Sequence, residues 1–131
     1  SDKKEHGLFV KIYHDLLDFK EFKKDLEKIK NKQTEISFKQ EPCGLHVACK
    51  TLKDSQNFLN KVKFAGWKKS GIIASDKRFV VECFSTEKLE FPIIKNGKIL
   101  VDDNFLKLIV RKSNENLKKS WGKIERLRKL V

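Results

Sequence analysis

Apolar and polar residues alternate with a period of two in several short runs and recur every three or four residues in three longer ones. Each period predicts a type of element. In Leu8-Phe9-Val10-Lys11-Ile12-Tyr13, residues Leu8, Val10 and Ile12 share one face, which predicts a first strand ending at His14. Asp18 with Glu21 three residues later resembles a capping box, and Phe19, Phe22, Leu26 and Ile29 recur at helical spacing through Lys30. Thr34 to Lys39 alternates like a strand with one wet face, and Pro42 separates it from the stretch Glu41 to Lys50, which reads as a buried strand carrying His46. A second helix starts near Thr51, with Leu52, Phe58, Leu59, Val62 and Ala65 as its apolar stripe and Gly66 as its stop.

Further along, Ser70–Ala74 and Arg78–Phe84 read as strands joined by Ser75-Asp76-Lys77. Leu89–Ile93 is a short strand whose Pro92 implies an edge or an end, and Asn96-Gly97 signals a type I′ hairpin. Asp102 or Asp103 caps a last helix that runs to the C-terminus with Leu106, Val110, Leu117, Trp121, Ile124 and Leu127 on one side. The order β-α-β-β-α-β-β-β-β-α predicts an α+β fold: a single domain over residues 1–131, with a mixed sheet and about three helices packed on it.

Composition narrows the function more than the fold. With 131 residues, 39% hydrophobic and ten Phe, the chain can build one core. No apolar run approaches the roughly 20 residues of a membrane span, and the first residues lack the apolar stretch of a signal peptide. A cytoplasmic protein is expected, with no membrane partner. Thirty basic against eighteen acidic residues leave a net charge of +12, a field that attracts polyanions, nucleic acid first among them. From Phe105 onward, nine basic residues face only Glu115 and Glu125, which concentrates the charge on the last helix. Three cysteines without paired spacing imply a reduced compartment. The absence of Met points to a processed chain or a fragment.

Cys43, His46 and Cys49 are evenly spaced, but strand alternation turns His46 away from both cysteines, so no metal site is expected. The six glycines form neither G-x-G-x-x-G nor a phosphate-binding P-loop, which excludes a Rossmann cofactor site. Asp102-Asp103 reads better as a helix cap than as an acid/base couple. Two constellations carry chemistry. In Gly66-Trp67-Lys68-Lys69-Ser70-Gly71, the glycines permit close backbone approach, Trp67 offers a stacking face, and Lys68 and Lys69 offer charge. The plain alternative is a helix C-cap followed by a corner with Trp67 in the core. The basic last helix is the second constellation, with a solvated lysine face as its alternative. His46 reads either as a satisfied core histidine or as a ligand-facing one, given its small neighbours Gly44 and Ala48. His14 at a strand end has the same two readings.

Taken together these segments resemble the family of the third protein of tRNA wybutosine synthesis. The resemblance lies in the aromatic-rich run ending at His14, in Phe38, Glu41, Pro42, Leu45, His46 and Val47, and in Gly66-Trp67-Lys68-Lys69-Ser70-Gly71-Ile72. It continues in Leu89-Glu90-Phe91-Pro92-Ile93 and in Asn114 through Trp121 to Ile124. The family's N-terminal serine/cysteine/glycine/arginine signature, S-x-S-C-S-G-R, is not found in these residues, so an N-terminal part of the family's domain is expected to be missing.

The resemblance implies methyl transfer from S-adenosylmethionine to a ring nitrogen of a wyosine-type tricyclic guanosine beside the anticodon of phenylalanine tRNA. DNA is not implied as a partner. Under that reading His46 and His14 are candidates for the base, and Gly66, Trp67, Ser70 and Gly71 for the cofactor site. Lys68, Lys69, Arg111, Lys112, Lys119, Lys123 and Arg126 would contact tRNA. A non-catalytic basic RNA-binding module is the rival reading.

Overall fold

A computed structural model describes residues 9–131. Three helices and six strands follow in the order α1 (Phe19–Ile29), β1 (Glu35–Gln40), β2 (Gly44–Cys49), α2 (Leu52–Phe64), β3 (Lys69–Ser75), β4 (Arg78–Phe84), β5 (Leu89–Lys95), β6 (Lys98–Ile99) and α3 (Asp103–Leu130). The α+β class is therefore as expected. The strands, however, form two three-stranded antiparallel sheets, β1-β5-β6 and β2-β4-β3, in place of one mixed sheet. Tight hairpins join β3 to β4 and β5 to β6, and such short links allow only antiparallel pairing. Pro42, which has no N–H for a ladder, lies between β1 and β2 and leaves them in different sheets.

Polar caps at the helix starts satisfy amides that would otherwise lack partners. Asp18 accepts from Glu21 N at 3.2 Å, Thr51 from Asp54 N at 3.0 Å and Asp102 from Phe105 N at 2.8 Å. Asn96 and Gly97 have φ of 51° and 76°, the pair of positive values a type I′ turn needs. Pro92 sits where the β1–β5 register shifts, with Ile93 as the extra residue of β5, and β6 pairs only with Ile94 and Lys95, so Pro92 is on a local edge.

Contacts among the described residues cluster into two compact units, residues 9–40 with 89–115 and residues 41–88 with 116–131. In the first, Phe22, Leu26, Ile93, Ile94, Leu106, Ile109 and Val110 form the core. In the second, Val62, Ala65, Trp67, Val81, Cys83 and Leu127 do so. Burying each Val, Leu, Ile or Phe side chain among them contributes roughly 1.5–3 kcal/mol, so each unit has an apolar centre of its own.

The expected strand from Leu8 to Tyr13 falls partly outside the described residues. Phe9 to His14 form no strand. Among the described residues no further strand pairs with them, and alternation without a ladder partner cannot hold a strand. That segment is tied down by side chains instead. Tyr13 donates to Asp25 at 2.6 Å, and the Asn114 amide accepts from Leu17 N at 2.8 Å and donates to Leu17 O at 2.9 Å. Burial, followed by the Asp25 contact, raises the Tyr13 pKa, which keeps this donor protonated.

Candidate functional site

The sheet β2-β4-β3 has one face toward α2 and one toward water. Leu45, Val47 and Cys49 of β2 lie on the packed face, with Val81 and Cys83 of β4 and Ile72 of β3. On the wet face the register sets three rows across the sheet: Gly44, Phe84, Lys69; His46, Glu82, Gly71; and Ala48, Val80, Ile73. Alternation thus places His46 opposite in sense to Cys43 and Cys49, which pack against the core. Burial raises the thiol pKa of Cys43, and burial followed by Cys43 itself raises that of Cys83, so neither is an activated nucleophile.

His46 is not a core histidine. Its side chain is 59% exposed, its Nε2 lies 3.4 Å from Glu82 Oε2, and its ring meets Phe84 edge-on at 5.9 Å. The space expected beside it at Gly44 is taken: a Cβ there would come within 2.8 Å of the Phe84 ring. Glu82 and Phe84 were not among the sequence candidates. Their signal was the parity of β4, which puts positions 82 and 84 on the face that His46 shares.

The corner from Gly66 to Ser70 is a helix cap rather than a ligand cradle. Gly66, at φ 100°, donates to Lys63 O at 3.0 Å, and Trp67 N donates to Val62 O at 3.2 Å, the two bonds of a Schellman motif. Trp67 is 0% exposed and its indole N–H reaches Lys123 O at 3.3 Å, so it has no open face on which a base could stack. Ser70 donates to Trp67 O at 3.1 Å. Three of the four residues assigned to S-adenosylmethionine are thus occupied by their own fold, and this corner does not fit that group. Gly71 differs, because a Cβ added there would meet nothing within 4 Å.

Several candidates for phosphate contact are also engaged. Lys123 sits 3.0 Å from Glu87 with both side chains nearly buried, at 14% and 12% exposure. Burial alone would raise the Glu87 carboxyl, but hydrogen bonds from Lys123 and Thr86 outweigh it and hold the pKa below the ordinary value. Arg126 donates to Ala65 O at 3.1 Å, capping the C-terminal end of α2 beside Gly66. Lys68, Lys69, Arg111, Lys112 and Lys119 are exposed. His14, Arg111 and Lys112 belong to the first unit, while His46, Gly71, Lys68, Lys69 and Lys119 belong to the second.

The last helix buries Leu106, Val110 and Leu127 of the expected stripe, but not all of it. Ser113, Asn116 and Ser120 are buried, whereas Trp121 is 43% and Ile124 37% exposed. Ser113 donates to Val110 O at 3.1 Å and Ser120 to Ser85 Oγ at 3.4 Å, so these hydroxyls keep partners inside. Among the described residues no group of three or more His, Cys, Asp or Glu is placed to hold a metal ion, and no helix is long and apolar enough to cross a membrane.

Known proteins supply the context for this face. A tRNA(Phe) 7-((3-amino-3-carboxypropyl)-4-demethylwyosine(37)-N(4))-methyltransferase of Archaeoglobus fulgidus is 38% identical over 70% of this chain and 46% of its own length. A tRNA wybutosine-synthesizing protein 3 homolog of Xenopus laevis is 31% identical over 75% of this chain and 39% of its own. A solved structure of a Pyrococcus horikoshii protein superposes with a TM-score of 0.77 at 31% identity, covering 88% of this chain and 58% of that one. The chain spans about half the length of the curated relatives it matches. The family model described as Methyltransferase TYW3 matches residues 1–131, and the chain belongs to that family.

Proposed function

We propose that this chain takes part in tRNA modification, transferring a methyl group to a ring nitrogen of the wyosine-type tricyclic guanosine beside the anticodon of phenylalanine tRNA. Family membership supports the methyl transfer, and the names of the relatives support the substrate. The observation in the molecule that carries the reading is an exposed imidazole, His46, held against Glu82 on an open sheet face. A ring nitrogen that gains a methyl must shed its proton, and a positioned imidazole is the commonest acceptor for one. Glu82 would orient the ring, and the exposed lysines and Arg111 would draw the phosphates in.

S-adenosylmethionine is the proposed donor and would supply an electrophilic methyl on sulfur. Of the residues first assigned to it, only Gly71 leaves its strand open to a ligand. The occupied Gly66–Ser70 corner gives the rival, a non-catalytic RNA-binding module, a specific observation in its favour.

The test incubates the chain with S-adenosylmethionine and phenylalanine tRNA carrying the demethylated tricycle, and follows the nucleoside mass. Methyl incorporation that falls at least about 100-fold in His46→Ala is the expected result, in line with loss of a general base. Unchanged transfer in that variant removes His46 from the reaction. Binding of tRNA that weakens steeply with salt but yields no methylated product selects the rival.

A further inference from the structure

The wet face of β2-β4-β3 has a composition that contact with water does not explain. Gly71 lies in the middle of β3, where glycine weakens a strand because it adds chain entropy and offers no side chain to its neighbours. Its φ is not among the positive ones, and a Cβ there would meet nothing within 4 Å. Neither backbone geometry nor packing requires glycine at this position. The remaining role of a glycine inside a strand is to let a ligand or another backbone approach closely. Beside it in the next row, Phe84 has its ring where a Cβ of Gly44 would stand, and Lys69 lies across from it on β3.

We infer that this face is a platform for single-stranded RNA, on which one nucleobase stacks against Phe84 while its polar edge meets the His46–Glu82 pair across from Gly71. The inference rests on the RNA-directed reading above and adds to it the place and the manner of base binding. Charge complementarity selects the occupant. Lys68, Lys69 and Arg78 are exposed on or beside the face, and its one carboxylate, Glu82, is already turned to His46. A small cofactor is usually held in a concave, enclosing site, whereas His46 at 59% exposure and Ile73 at 48% mark open ground. A protein partner would need a broad apolar centre, and here only the Ala48, Val80, Ile73 row is apolar. An aromatic side chain with adjacent cations on an open sheet suits a base whose phosphates supply the remaining affinity.

The test measures the affinity of the chain for an unstructured single-stranded oligoribonucleotide and for an abasic oligomer of the same length, at one fixed salt concentration. Phe84→Leu is expected to weaken the first by roughly tenfold, the scale of one lost base stack, and to leave the second unchanged. Gly71→Val is expected to weaken RNA binding by about fivefold or more while the melting temperature stays level or rises, since a β-branched residue suits an open strand position. That second variant keeps the question decidable if Phe84→Leu fails to fold. Phe64→Leu, an 81% exposed ring on α2, serves as the control and should change nothing.

Wild-type affinity in both platform variants, with loss of binding in Lys119→Glu, overturns the platform and leaves the RNA-directed reading standing. No binding by the wild-type chain overturns both. Displacement of the RNA by adenosine or S-adenosylmethionine in a manner that needs Phe84 assigns the face to the cofactor instead. Self-association abolished by Phe84→Leu assigns it to a second copy. Either result also sinks the inference.

Discussion

The two three-stranded sheets are built alike and dressed differently. Each is antiparallel and each has one packed face. On the wet face of β1-β5-β6, Glu35 stands opposite Lys95 and Lys39 opposite Glu90, the opposite-charge pairing of a surface adapted to water. The wet face of β2-β4-β3 has one such pair, His46 with Glu82, and otherwise carries Gly44, Ala48, Lys69, Gly71, Ile73, Val80 and Phe84. Similar scaffolds thus carry different surfaces, and strand geometry alone does not call for glycine at position 71. A mid-strand glycine reduces stability and a half-buried aromatic ring adds apolar surface to an open face, a combination that fits contact with a ligand.

Substitutions can break that contrast or sharpen it. Trp67→Ala should have the largest effect, a loss of about 3–5 kcal/mol in chemical denaturation, because it empties the core behind the sheet. Lost RNA affinity with stability intact would instead return Trp67 to the ligand-binding group. Glu87→Gln should cost about 2 kcal/mol by leaving the nearly buried Lys123 without its carboxylate.

The pH dependence of that variant follows from the lowered Glu87 pKa. A carboxyl that is more acidic folded than unfolded stabilises above its unfolded value and loses that contribution as pH falls through the folded value. The gap between wild type and Glu87→Gln should therefore be complete above about pH 6 and shrink on acidification. Denaturation at several pH values checks it, and a gap that widens in acid would contradict the pairing.

Gly66→Ala should cost about 1–2 kcal/mol because φ of 100° is strained for any residue with a Cβ. The loss should appear in the melting temperature without any change in RNA affinity, which separates this glycine from Gly71. Smallest of all, Lys39→Ala should alter stability by no more than about 0.5 kcal/mol and leave RNA affinity within a factor of two, as expected for a solvated face.

Much of this was legible in the chain and some was not. Alternation located β1, β3 and β4 to within a residue or two, because one buried and one wet face impose period two wherever they occur. Caps at Asp18 and Thr51 and the Asn96-Gly97 turn were readable because their chemistry is local. The split into two sheets was not, since strand partners are chosen by tertiary packing. Leu52 and Trp121 looked like core by residue type and are exposed, whereas Ser55, Ser113, Asn116 and Ser120 looked polar and are buried. A hydroxyl that can bond a carbonyl one turn back goes inside at little cost, and hydrophobicity alone does not register it. His46 was legible as facing away from the cysteines, but its partner Glu82 required the β2–β4 register.

Amide chemical-shift mapping of this chain during titration with an RNA anticodon stem-loop tests the difference between the two sheets most directly. Shifts concentrated at Gly44, His46, Gly71, Glu82 and Phe84, with Glu35, Lys39, Glu90 and Lys95 unmoved, are the expected result. Shifts confined to the Arg111–Lys119 stretch of α3, with Gly71 and Phe84 silent, would contradict it.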